Sequence, residues 1–156
     1  MAILLYEMNL LHKSTLYASD INLRSLQKAE DGVFPISLLQ LYESKYHSSG
    51  GSRNFSDYYS LCPGGGKLDT MFTERMVFKQ HNLALDTFLG KFDLIVCRNV
   101  VIYFERELQW QVFKLFSLSL NPGSCLALGE KETIRFSPIE NNFVHLGGER
   151  IWKKVI

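Results

Sequence analysis

The sequence predicts an α/β protein with a Rossmann-like, mostly parallel sheet closed by an antiparallel C-terminal edge. Three observations carry this expectation. Strand-like and helix-like stretches alternate along most of the chain, the pattern of strands joined by crossover helices. One stretch, Phe92-Asp93-Leu94-Ile95-Val96-Cys97, is nearly continuously apolar, as a parallel-sheet strand buried on both faces is. The last two strand-like segments, 142–146 and 150–156, flank Gly147-Gly148 and read as a hairpin, which supplies the antiparallel edge.

Composition sets the bounds. A chain of 156 residues, 46% hydrophobic and 21% charged, is the size of one domain and can bury a real core. We read 1–156 as one domain. Lys and Arg number 17 against 16 Asp and Glu, so no broad field draws the chain to nucleic acid. The apolar start, Met1 to Tyr6, is interrupted by Glu7 and Asn9 and is too short to span a bilayer, so no membrane insertion is expected. Cys62, Cys97 and Cys125 form no CxxC pair, and His12, His47, His81 and His145 have no ligand spacing, so neither a zinc site nor a disulfide framework is expected. Reduced cysteines fit a cytoplasmic protein.

In chain order, residues 1–13 read as a helix with Ile3, Leu4, Tyr6, Leu10 and Leu11 on one side. Residues 15–20 read as a short strand ending in Asp20. Asn22 suits the cap of a helix over 23–30, and Asp31-Gly32 closes it. Pro35 suits the first turn of a helix over 36–46. Residues 47–57 are a loop by composition, and 58–61 a short strand. Cys62-Pro63-Gly64-Gly65-Gly66-Lys67 reads as a flexible turn: it lacks the spaced first glycine and the Ser or Thr after lysine that a phosphate loop needs. Residues 76–82 are a strand with Asn82-Leu83 at its tip, and 83–91 a connector.

The buried strand over 92–97 follows. It presents Arg98 and Asn99 at its carboxyl end, where open α/β sheets carry ligand chemistry. A helix over 105–120 aligns Leu108, Val112, Phe116 and Leu120 in one row, with Glu105 and Glu107 favourably placed in its first turn. Trp110 falls off that row, as a partly exposed aromatic and a weak hint of a partner surface. Asn121-Pro122-Gly123 ends the helix, and 124–129 is a strand.

Residues 92–104, which continue from Cys97 as Arg98-Asn99-Val100-Val101-Ile102-Tyr103-Phe104, resemble the signature of the CheR-type chemotaxis methyltransferases. That family uses S-adenosylmethionine to methylate glutamate side chains of chemoreceptors. Supporting stretches are Tyr17-Ala18-Ser19-Asp20-Ile21, Ala29-Glu30-Asp31-Gly32-Val33-Phe34-Pro35, His81-Asn82-Leu83 and Leu120-Asn121-Pro122-Gly123. Matched to that pattern, Met1 to Glu7 resembles the helix that follows a glycine-containing cofactor loop. The resemblance thus implies a methyltransferase sheet without its first strand, whose absence exposes two neighbouring strand edges. Gly129-Glu130-Lys131-Glu132-Thr133 stands where many members have a Gly-His-Ser-Glu-Ser-type run. Residues 47–75 do not clearly show the small antiparallel subdomain with which some members dock a receptor tail.

The resemblance implies S-adenosylmethionine as methyl donor and the cytoplasmic domain of a methyl-accepting chemoreceptor as partner. It assigns active-site roles to Arg98 and Tyr103, Arg98 to orient the substrate carboxylate and Tyr103 to line the methyl-transfer site. It places Asp20, Asn82, Leu83, Arg98 and Asn99 at the cofactor. Plainer readings stand beside these. Arg98 could be an ion pair at a strand end, Tyr103 a core aromatic, Asp20 a turn or cap aspartate, and Asn82-Leu83 a simple strand exit. A non-catalytic binding module is the alternative function.

Overall fold

A computed structural model of the chain describes residues 1–86 and 90–156. They form two compact units, Met1–His81 and Asn82–Ile156. Of the connector read over 83–91, residues 87–89 lie outside the described residues.

The first unit opens on helix α1 (Ala2–Glu7), then a 3-10 turn at Leu11–Lys13. The single helix read over 1–13 is divided because Asn9 takes a positive φ of 56°, a conformation asparagine tolerates and helices do not continue through. Strand β1 (Leu16–Asp20) and helix α2 (Leu23–Asp31) follow as read. The Asn22 side chain accepts from the Arg24 N–H at 2.9 Å, and Gly32 closes the helix at φ 65°.

The next stretch departs from the reading. Val33–Pro35 is a strand, β2, and Pro35 ends it instead of opening a helix. A 3-10 turn at Ile36–Leu38 intervenes before helix α3 (Leu39–Ser48). Strand β3 (Tyr59–Cys62) matches the expected short strand, but β4 (Gly65–Leu68) takes up half of the stretch read as a flexible turn. The strands form an antiparallel sheet ordered β2-β4-β3, so a small antiparallel sheet is present after all. The glycines explain the missed strand. A Cβ on Gly65 would lie 1.9 Å from the Phe34 carbonyl oxygen, and one on Gly66 2.7 Å from the Phe34 ring. The central strand needs residues without side chains, and such residues carry no hydrophobic periodicity to read.

A short helix α4 (Thr70–Thr73), capped by Asp69, leads to β5 (Met76–Gln80), which pairs in parallel with β1. Phe55, Tyr58 and Phe72 are buried with Ala2 and Leu11 at the heart of this unit. Their rings meet edge to face, Tyr58 and Phe72 at 5.8 Å, a geometry that adds to simple area burial.

The second unit contains β6 (Phe92–Cys97), helix α5 (Arg106–Ser119), β7 (Leu120–Leu128), β8 (Phe143–His145) and β9 (Ile151–Lys154). The sheet order is β6-β7-β9-β8, with β6 and β7 parallel and the rest antiparallel, and β8 and β9 form the closing antiparallel hairpin that the sequence predicts. Helix α5 buries Val112, Phe113 and Phe116 against Leu126, Leu128 and Trp152, each large side chain worth about 2 kcal/mol of apolar burial. Trp110 is half-buried against this core, with the Arg106 guanidinium 5.0 Å over its ring. One expectation fails: β6 is not buried on both faces. Ile95 and Cys97 pack toward the core, but Leu94 and Val96 remain 44% and 49% exposed. Among the described residues β6 pairs only with β7, so it is an edge strand with one open face.

Candidate active site

The loop after β6 is built by a single carboxylate. Asn99 has φ 58° and turns the chain sharply at the strand end. That turn aims three successive backbone N–H groups at Glu132, a side chain only 3% exposed. Asn99 donates to Oε2 at 3.0 Å; Val100 and Val101 donate to Oε1, each at 2.9 Å. A fourth donor, the Gly129 N–H, reaches Oε2 at 2.6 Å. Such hydrogen bonds to an ionised acceptor are the strong kind, and a buried carboxylate needs them. Gly129 is forced by the same packing: a Cβ there would lie 2.7 Å from both Asn99 Oδ1 and Glu132 Oε2.

Val101, the last of the three consecutive donors, is buried and opens a 3-10 turn over Val101–Tyr103. Tyr103 emerges from that turn 79% exposed, which removes the core-aromatic reading. Arg98 and Asn99 are exposed at the strand end. Beneath them, burial first and the Glu132 charge second push the Cys97 thiol up to about 12. Cys97 is therefore a thiol at neutral pH and no nucleophile.

Asp20 ends β1 and Asn82 follows β5, so each of these candidates also stands at a strand's carboxyl end. The Asp20 carboxylate accepts from the Asn22 N–H at 2.8 Å, the turn role of the plainer reading, and its carbonyl accepts from the His81 N–H at 3.1 Å. The Asn82 carboxamide oxygen accepts from the Ala84 N–H at 2.9 Å, and the Asn82 N–H donates to Asp86 Oδ2 at 2.7 Å. Leu83 packs against the α5 core. His81 is 4% exposed, and among the described residues neither ring nitrogen has a hydrogen-bond partner, an uncommon condition for a buried polar group. The first unit thus joins Asp20 to His81 at adjacent strand tips, and the second holds Arg98, Asn99 and Tyr103 on one loop.

The description CheR methyltransferase, SAM binding domain, matches this chain over residues 1–150. The chain belongs to that family. Among similar proteins, one from Pseudomonas putida named as the methyltransferase Cher3 is 38% identical over 99% of this chain and 57% of its own length. A chemotaxis protein methyltransferase of Listeria monocytogenes is 30% identical over 83% of this chain and 48% of its own length. Another, from Borreliella burgdorferi, is 30% identical over 79% and 42% respectively. The chain spans about half the length of the curated relatives it matches.

The family's cofactor is S-adenosylmethionine, and this CheR-family chain has groups that suit it. The exposed Asp20 carboxylate suits ribose hydroxyls. The Asn82 carboxamide suits a nucleobase edge. Sequence reasoning missed Glu132 as the residue that shapes the loop. The available signal was a glutamate three residues after the glycine that ends a buried strand.

Proposed function

We propose that this chain binds S-adenosylmethionine and takes part in methyl transfer to glutamate carboxylates of a methyl-accepting chemoreceptor's cytoplasmic domain, in the cytoplasm. The observation that carries the reading is the loop from Arg98 to Tyr103, fixed at the carboxyl end of β6 with both side chains exposed.

A glutamate with pKa about 4.3 is already ionised at neutral pH, so the reaction needs alignment more than acid-base help. When bound, S-adenosylmethionine would supply the electrophilic methyl carbon for the carboxylate oxygen, its sulfonium leaving as a neutral thioether. Arg98 presents a planar fork that grips a carboxylate bidentately, and the Tyr103 hydroxyl donates to it. By the family resemblance, Asp20 of the first unit and Asn82, Leu83, Arg98 and Asn99 of the second are the residues that would hold the cofactor.

Calorimetric titration with S-adenosylmethionine tests the reading. Saturable binding is expected, and no heat at millimolar ligand overturns it. With a chemoreceptor cytoplasmic fragment as acceptor, Arg98→Ala is expected to lower turnover about 100-fold through lost alignment. Tyr103→Phe is expected to lower it roughly fivefold through one lost hydrogen bond. Unchanged turnover in both removes their roles.

The second reading is a binding module without catalysis. It draws on the side chains of Asp20 and Asn82, which already serve local turns. Absence of cofactor binding favours it.

A further inference from the structure

We infer that Glu132 is the positioning residue of the methyl-transfer loop: its buried carboxylate sets the backbone from which Arg98, Asn99 and Tyr103 project. The inference rests on the proposed function, since it assigns Glu132 a consequence for cofactor and substrate as well as for the fold.

The geometry separates Glu132 from an ordinary buried acid. Among the described residues, the four hydrogen bonds that its carboxylate accepts all come from backbone N–H groups, three of them on the consecutive residues 99–101. Those residues lie more than thirty positions away in sequence, so the contact joins two strand exits, after β6 and after β7. Arg98 precedes the clamped residues and Tyr103 follows them by two positions. The clamp therefore fixes the loop's path between its two candidate chemical groups while leaving their side chains exposed.

Each carboxylate oxygen faces two N–H donors: Oε1 faces Val100 and Val101, and Oε2 faces Asn99 and Gly129. An amide cannot replace it. Whichever way a glutamine is turned, its NH2 group confronts two donors and leaves both unsatisfied. Turned one way it frees Val100 and Val101; turned the other it frees Asn99 and Gly129. Either outcome loosens the loop beside Arg98. Aspartate keeps two acceptor oxygens and gives up only one methylene of reach.

The test compares Glu132→Gln, Glu132→Asp and Val112→Ala in the full chain, with S-adenosylhomocysteine as the calorimetric probe. Val112 is fully buried on α5, so its truncation is a stability loss away from the loop. All titrations are run well below each variant's melting midpoint. Glu132→Gln is expected to weaken affinity at least tenfold, Glu132→Asp to recover at least half of that loss on a logarithmic scale, and Val112→Ala to stay within twofold of the parent. Amide exchange provides an independent reading in the parent chain: the Asn99 and Val100 N–H groups should be protected although both residues are exposed, and Glu132→Gln should remove that protection. Should Glu132→Gln not fold, Glu132→Asp against Val112→Ala decides, with a measurable affinity loss expected in the first alone. If the parent binds and the Glu132 variants bind equally well, the positioning role is wrong while the proposed function survives. If the parent fails to bind, the proposed function falls and takes the inference with it.

Discussion

Glu7 illustrates how a partly exposed acid can hold elements together. Its Oε1 accepts from the hydroxyls of Tyr46 and Tyr58, the latter at 2.5 Å, tying α1 to α3 and to the turn before β3. The Tyr46 bond, then the Tyr58 bond, hold the Glu7 carboxyl below its ordinary range. Burial first, then the bond to Glu7, push the Tyr58 hydroxyl well above its usual range, so it stays a proton donor across neutral pH. Because the folded-state pKa of Glu7 is depressed, its contribution is complete above the unfolded value of about 4.3 and is lost as pH falls through the folded value. Urea midpoints measured from pH 6 to pH 3 are expected to fall less steeply for Glu7→Gln than for the parent. Identical slopes would show that the Tyr–Glu–Tyr bonds do not couple to stability.

At the scale of elements, the clearest expectation concerns the glycine strand β4. A Cβ on Gly65 would run into the Phe34 carbonyl, which can move only by breaking the β2–β4 ladder, where Pro35 stands opposite Gly65. Gly65→Ala is expected to cost more than about 1 kcal/mol, whereas Gly148→Ala, with nothing within 4 Å of the new carbon, should be near neutral. Chemical denaturation of the two variants checks this, and equal midpoints would contradict the close approach. The same strand marks where reading from sequence stopped. Elements with side-chain periodicity or a cap were legible: β1, α2 with Asn22 and Gly32, β6, α5 and the closing hairpin. Strands β2 and β4 were not, since one is short and ends in proline and the other begins with two glycines. At the candidate site, the positions of Asp20, Asn82, Arg98 and Asn99 at strand ends followed from pattern. The Glu132 clamp did not, because it depends on backbone donors brought together from two strand exits.

For the whole molecule, the open face of the second sheet has a consequence in solution. Cross-strand register aligns Leu94 with Cys125, and Val96 with Ala127 and then Ile151, on the side away from the α5 core. These apolar rows include two side chains nearly half exposed on β6, itself an edge strand among the described residues. Exposed apolar surface on an edge strand favours pairing with another copy. Lys153 stands opposite Cys125 and places one charge in this surface, which limits the attraction. Concentration-dependent self-association of this chain is therefore expected, seen as a rise in weight-average mass by light scattering between micromolar and hundred-micromolar protein. Adding sulfate should strengthen it, since excluded salts favour apolar burial. Replacing Leu94 and Val96 together by lysine should shift the mass toward that of one chain at every concentration. The fold should survive that change, because both side chains are already nearly half exposed and the α5 core lies on the opposite face. A parent mass that does not change with concentration would remove the association.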